Sequence, residues 1–395
     1  MSEQKQPKVR FSGFDDDWEQ CTLKDVSARI TRKNSNLESN LPLTISAQDG
    51  LVDQNTFFGK TIASKDTTGY FLLKKGEFAY NKSYSKGYPF GAVKRLDKYD
   101  EGVLSTLYIV FAPRHISSTF LAVYYDSKSW YKEIYRNAAE GARNHGLLNI
   151  SSSDFFDSKL TIPSDKNEQR FIGRFIKTID KLIAANQRQL EELKTIKKLA
   201  MQKIFDQEWR FNGFTDAWEQ HKLGEVFSER LDRTSTGELI SVTINNGVVK
   251  SDSLNRKDNS SQNKSNYKKV NRNDIAYNSM RMWQGASGVS QYEGILSPAY
   301  TVLIPNQVSS VFFSFYFKKE HMKQTFQKYS QGLTSDTWNL KYPQLKLIHV
   351  LVPAIKEQNK IANLLSKLDS RIAANQSKSE QLKKLKKWFM QNMFM

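Results

Sequence analysis

The chain states one pattern twice, which restricts it to folds whose halves correspond. Arg10-Phe11-Ser12-Gly13-Phe14-Asp15-Asp16-Asp17-Trp18-Glu19-Gln20 returns as Arg210-Phe211-Asn212-Gly213-Phe214-Thr215-Asp216-Ala217-Trp218-Glu219-Gln220. Ile183-Ala184-Ala185-Asn186-Gln187 returns as Ile372-Ala373-Ala374-Asn375-Gln376. A solenoid stacks many short units, whereas two copies that each fill about half the chain describe a duplicated module. Between these landmarks, Gly50, Tyr80-Asn81 and Gly91 stand opposite Gly247, Tyr277-Asn278 and Gly288 at one constant offset. Glu101-Gly102-Val103-Leu104-Ser105 is answered by Glu293-Gly294-Ile295-Leu296-Ser297, and Ile162-Pro163 by Val352-Pro353.

Each copy has two parts. From Trp18 to about Pro163, short β-rich runs such as Leu104-Ser105-Thr106-Leu107-Tyr108-Ile109-Val110-Phe111 alternate with Gly, Pro, Asn and Asp, and Phe120 to Glu133 has helical character. Past Ile162-Pro163 the character changes. Residues 166–206 contain no proline and a single glycine, Gly173, with apolar residues at 172, 176, 179, 183, 190 and 193. Those steps of three and four make one helix stripe at heptad spacing. The second copy repeats the stripe at 361, 365, 368, 372, 379 and 382, with Ser379 as its one polar member. At about 1.5 Å per residue, some 40 residues form a rod of about 60 Å, and a narrow stripe on so long a rod calls for a partner helix.

The expected architecture is therefore α+β: two globular domains related by pseudo-two-fold symmetry, at 1–165 and 207–354. Two long helices, at 166–206 and 355–395, separate them and pack as an antiparallel coiled coil. Asn186 and Asn375 fall near the helix midpoints, where a two-fold axis brings equivalent positions together. They are expected to face each other across the seam and fix its register.

Charge narrows the function. The net charge of +18 points to a polyanionic partner, nucleic acid before anionic membrane. The long helices hold ten basic against five acidic residues and nine against three, so most of the excess lies on them. The single cysteine, Cys21, allows no internal disulfide and fits a reducing compartment. Its counterpart is His221, which argues against a catalytic role. No charged-then-apolar leader and no run of about 18 apolar residues is present, so the expectation is a cytoplasmic, soluble protein without a membrane partner.

Catalytic signatures are missing from the sequence. It has no phosphate-cradling glycine loop followed by Lys-Ser or Lys-Thr, no dinucleotide fingerprint and no Gly-x-Ser-x-Gly elbow. His115, His145, His221, His321 and His349 lie far apart, and no Cys/His cluster has metal spacing. The expectation is no catalytic residue and no metal site.

Two slots are framed alike and filled differently. After the shared Tyr-Asn, the first copy continues Lys82-Ser83-Tyr84-Ser85-Lys86-Gly87-Tyr88 and the second Ser279-Met280-Arg281-Met282-Trp283-Gln284-Gly285. Further on, Glu140-Gly141-Ala142-Arg143-Asn144-His145 stands against Gln331-Gly332-Leu333-Thr334-Ser335-Asp336. Lys and Arg neutralise phosphates, and Arg and Gln read base edges. The candidate DNA-contacting residues are Lys82, Tyr84, Lys86, Arg143, Asn144, His145, Arg281, Trp283, Gln284, Thr334 and Ser335. Each alone also suits an ordinary variable loop.

The ordered set resembles the specificity subunit of type I restriction–modification enzymes over nearly the whole chain. The resemblance rests on the two Gly-Phe-x-x-x-Trp-Glu-Gln openings, at 13–20 and 213–220. It rests also on the Ile-Pro and Val-Pro exits, each followed by an acidic-Gln pair (Glu168-Gln169, Glu357-Gln358), and on the stretch from Asp274 to Gly285. It implies that each globule is a target recognition domain reading one half of a bipartite double-stranded DNA site. The antiparallel helix pair would set the gap and dock modification (methyltransferase) subunits. S-adenosylmethionine, ATP and Mg²⁺ would then belong to the modification and restriction (translocase/nuclease) subunits, with no cofactor in this chain. The competing readings are a non-enzymatic coiled-coil scaffold whose globules bind proteins, and a self-sufficient nuclease or methyltransferase.

Overall fold

A computed structural model describes residues 6–85, 87–137, 148, 150–254 and 260–395. The chain divides into two compact units, Met1–Gln187 with Ser377–Met395, and Arg188–Gln376. Two long helices, Lys166–Phe205 and Ile355–Asn392, each cross from one unit to the other near their middle, after Gln187 and after Gln376.

Both units contain the same sheets. In the first, a four-stranded antiparallel sheet runs in the order Ser27–Arg29, Ile109–Pro113, Phe78–Asn81, Ala92–Arg95. In the second the order is Phe227–Glu229, Tyr300–Pro305, Ile275–Asn278, Ser287–Val289. Three two-stranded ladders accompany each sheet. One pairs Glu19–Thr22 with Lys159–Ile162, and its counterpart pairs Glu219–Lys222 with His349–Val352, so the opening of each copy is bound to its exit.

The central strands are buried on both faces, and their alternation feeds two cores. Side chains alternate between faces along a strand. Phe78, Tyr80 and Phe111 enter one core, while Ala79 and Val110 enter a smaller one with Leu43, Leu73 and Leu104. The second unit repeats the division, with Ile275, Tyr277 and Leu303 on one side and Ala276 and Val302 on the other.

The long helices are rooted in these cores. Ile172, Ile176 and Ile179 lie in the larger core of the first unit together with Met393 and Phe394 from the chain's end. Ile361, Leu365 and Leu368 lie in that of the second, together with Ala200, Ile204 and Phe205. The apolar stripe thus serves the globule as well as the partner helix. The two helix halves in each unit run antiparallel. In the first unit Phe175 meets Phe389 edge-on at 4.8 Å and Asp180 pairs with Lys386 at 2.5 Å, so one numbering rises as the other falls. In the second, Lys197 pairs with Asp369 at 2.5 Å.

Register and local bonding correct three readings of the sequence. Leu104–Phe111 is not one strand: Glu101–Leu104 and Ile109–Pro113 join different sheets, and Tyr108 N–H donating to the Ser105 carbonyl turns the chain between them. The helical stretch from Phe120 breaks into Ser118–Asp126 and Tyr131–Asn137. Ser127 Oγ donates to the Tyr124 carbonyl and Trp130 Nε1 to that of Tyr125, which closes the first helix. Gly91 and Gly288 are not equivalent. Tyr80 pairs with Val93 but Tyr277 with Ser287, so the first loop is longer and Gly288 lies inside a strand.

Candidate nucleic-acid interface

Each unit is first made rigid at its root by the acidic-Gln pair that opens a long helix. Glu168 is fully buried and accepts from Arg10 Nε and Nη2 at 2.7 and 2.8 Å. Glu357, 1% exposed, takes the same fork from Arg210 at 2.8 Å twice. The hydrogen bonds raise both guanidinium pKa values above their ordinary range. The neighbouring glutamines bridge two segments. Gln169 Nε2 donates to the Pro163 carbonyl and its Oε1 accepts from Ser117 N–H, both at 2.8 Å. Gln358 repeats this with Pro353 and Ser309. Ser117 and Ser309 are the N-caps of the helices Ser118–Asp126 and Ser310–Tyr316, so opening, exit, cap helix and long helix share one polar knot. A planar fork on a buried carboxylate fixes orientation as well as distance.

Away from that knot the structure brings the two slots of the second unit together. Asn278 ends its strand and accepts Met280 N–H on Oδ1. Arg281 then opens the 3-10 turn Met282–Gln284, anchored by the fully buried Met282 and closed by Gly285 at φ +87°. Gln331 and Asn339 exchange backbone hydrogen bonds at 3.0 and 2.8 Å and pinch off the loop between them, which leaves Thr334 and Ser335 exposed. That loop docks on the first slot: Leu340 N–H donates to the Ser279 carbonyl, and Trp338 meets Trp283 edge-on at 5.2 Å. Trp283, in the turn that also carries Arg281 and Gln284, therefore lies against the loop that carries Thr334 and Ser335.

The first unit uses the same closure. Leu148 N–H donates to the Lys82 carbonyl at 3.1 Å, the counterpart of Leu340 and Ser279. Lys82 Nζ donates to the Ile150 carbonyl at 3.2 Å, which places its charge against the returning segment. Tyr84 is 54% exposed. Lys86, Arg143, Asn144 and His145 lie outside the described residues. Of the helix pair, Asn186 is buried, and Asn375 donates from Nδ2 to the Arg371 carbonyl one turn back.

Sequence reasoning overlooked the loop after the second ladder. In the second unit, Arg281, Asn278 and Met280 line a cleft of about 930 Å³ whose other wall carries Ser260, Asn263 and Asn266. In the first unit the same loop carries Phe57 and Phe58, about half exposed and packed edge-to-face at 4.9 Å. The signal was present as a third matched stretch with divergent content, Asn- and Ser-rich in one copy and aromatic in the other.

Among the described residues, no group of three His, Cys, Asp or Glu could hold a metal. No helix among them is long and apolar enough to cross a membrane. Cys21 is packed against the core, and burial together with Glu19 and Asp25 pushes its thiol up to about 11.

Residues 215–384 match the type I restriction modification DNA specificity domain. Among solved structures, the S subunit of a type I restriction-modification system from M. genitalium superposes with a TM-score of 0.57 at 16% identity, covering 99% of each chain. The HsdS subunit from Thermoanaerobacter tengcongensis superposes with a TM-score of 0.49 at 15% identity, covering 95% of this chain and 96% of that one. At 16% identity the likeness to the M. genitalium subunit concerns the fold alone. No curated protein matches the sequence. The second half thus resembles a DNA specificity domain, and the first half, with the same opening, sheet order and polar root, repeats its scaffold. In sequence over 215–384 and in fold over the whole chain, the protein is similar to the specificity subunits of type I restriction–modification systems.

Proposed function

We propose that each unit reads one half of an asymmetric bipartite DNA site and that the chain performs no chemistry of its own. The observation that carries this is a shared scaffold with unlike loops: the strand ending in Tyr-Asn and the returning Leu that bonds the residue after it are the same, while the loops between them and their exposed side chains differ. Basic residues supply salt-sensitive attraction to phosphates. Side chains of the loops distinguish bases at their edges, and the long helices set the gap as dimer geometry sets half-site spacing elsewhere. Modification and restriction subunits are the partners, with S-adenosylmethionine, ATP and Mg²⁺ bound there, in the cytoplasm.

Methylation-aware sequencing of DNA from a host that carries the chain and its modification subunits tests this. A single motif of two unlike half-sites around a constant gap is expected; a one-part motif, or none, defeats the proposal. The purified chain alone, given DNA with Mg²⁺ or S-adenosylmethionine, should show no turnover. Filter binding distinguishes DNA reading from a protein scaffold, because affinity for DNA should fall by orders of magnitude between about 50 and about 200 mM salt.

A further inference from the structure

We infer that Arg281 reads a guanine in the half-site of the second unit, a step that rests on the DNA-reading function above. Its backbone is held on three sides. Its N–H donates to the Asn278 carbonyl, and its own carbonyl accepts from Gln284 and Ala286. Trp283 Nε1 donates to the Met280 carbonyl, and the buried Met282 pins the turn from below. The guanidinium, by contrast, pairs with no carboxylate among the described residues. Three other arginines of the unit are engaged, Arg210 on Glu357, Arg230 on Asp274 and Asp232, and Arg233 on Asn266. An immobile backbone under an unengaged fork is preorganised for a ligand.

The surroundings favour a base edge over a phosphate. Arg281 shares its cleft with the carboxylates of Glu238 and Asp252 and with neutral amides and hydroxyls, among them Asn263 and Ser260. A phosphate brings a full negative charge, which the Asp252 carboxylate opposes, whereas Glu238 is already paired with Lys250 at 2.7 Å. A base edge carries only partial charges. In the major groove guanine alone offers two acceptors, O6 and N7, on one base, spaced for an arginine fork. The third residue after the shared Asn is Tyr84 in the first unit, so the same position carries different chemistry in the other half.

The test uses the chain assembled with its modification subunits. With Arg281→Ala or Arg281→Lys, methylation-aware sequencing should show one guanine of one half-site relaxed to several bases, with the other half and the gap unchanged. In competition binding, replacing that guanine by 7-deazaguanine removes N7. This should weaken the wild-type complex by about five-fold to a hundred-fold and leave the Arg281→Ala complex unaffected. An unchanged motif, relaxation at a base other than guanine, or uniform weakening over all sequences with a shallower salt dependence would overturn the assignment. If Arg281→Ala abolishes methylation, the wild-type complex still decides, since insensitivity to 7-deazaguanine at every guanine of both halves also overturns it. A wild-type complex with no sequence motif would instead defeat the underlying function.

Discussion

Glu168 and Glu357 are each the carboxylate on which the opening of a unit and the start of a long helix converge. Removing one partner of a buried pair leaves an uncompensated charge and costs about 3–5 kcal/mol. Glu357→Ala should therefore lower the melting temperature of the second unit by about 6–20 °C. Differential scanning calorimetry checks this, and a shift below about 2 °C would remove the knot from the account. Cys21 gives a second expectation. Its thiol titrates near 11 in the folded chain against an ordinary value of 9.0, so near pH 8 the folded thiolate is about a hundred times scarcer than the unfolded one. Iodoacetamide should label native protein about a hundred-fold more slowly than denatured protein. The sign for stability follows from the raised value. The contribution of the neutral thiol is complete below about pH 9 and is lost as pH rises through about 11.

At the scale of elements, Gly173 explains itself only through its neighbours. A Cβ there would lie 2.8 Å from Phe120 N and 3.0 Å from the Thr119 carbonyl carbon, so the long helix approaches the start of the Ser118–Asp126 helix backbone to backbone. In an open helix interior, Gly→Ala stabilises by about 1 kcal/mol. Here Gly173→Ala should lower the melting temperature, and a rise would show that the approach relaxes freely. Ala362 holds the corresponding place in the second helix and is buried there. The two roots therefore differ in closeness even though the motif repeats. The helices were legible because their pattern is local: a stripe every three or four residues and no proline. The broken strand at Ser105–Tyr108 and the broken helix at Ser127–Trp130 were not, because neither break contains a proline or glycine and bonds made in the folded chain decide where each element ends.

For the whole molecule, the consequence of the helices being shared between units is mechanical. Seven residues inserted into both helices preserve the stripe and add about 10 Å. The gap in the recognised DNA should then grow by about three base pairs at about 3.4 Å each, with both half-sites unchanged. Methylation-aware sequencing of the lengthened variant reads this directly, and an unchanged gap would refute the role of the helices as spacers.

The sequence by itself determined the duplication, the two helical rods, the absence of recognisable catalytic motifs and the frame of the two variable slots. Each of these is a matter of spacing along the chain, where apolar period, turn residues and repeated motifs act locally. Tertiary structure decided which variable residues share a surface. Trp283 meets Trp338 and Leu340 binds Ser279 because the sheet order returns the chain to one edge. It also drew the loop around Asn263 into the same cleft as Arg281, and it directed Lys82 onto Ile150. Those neighbours lie far apart in the chain, and only the paired strands and the buried polar root, each made by distant segments, bring them within reach.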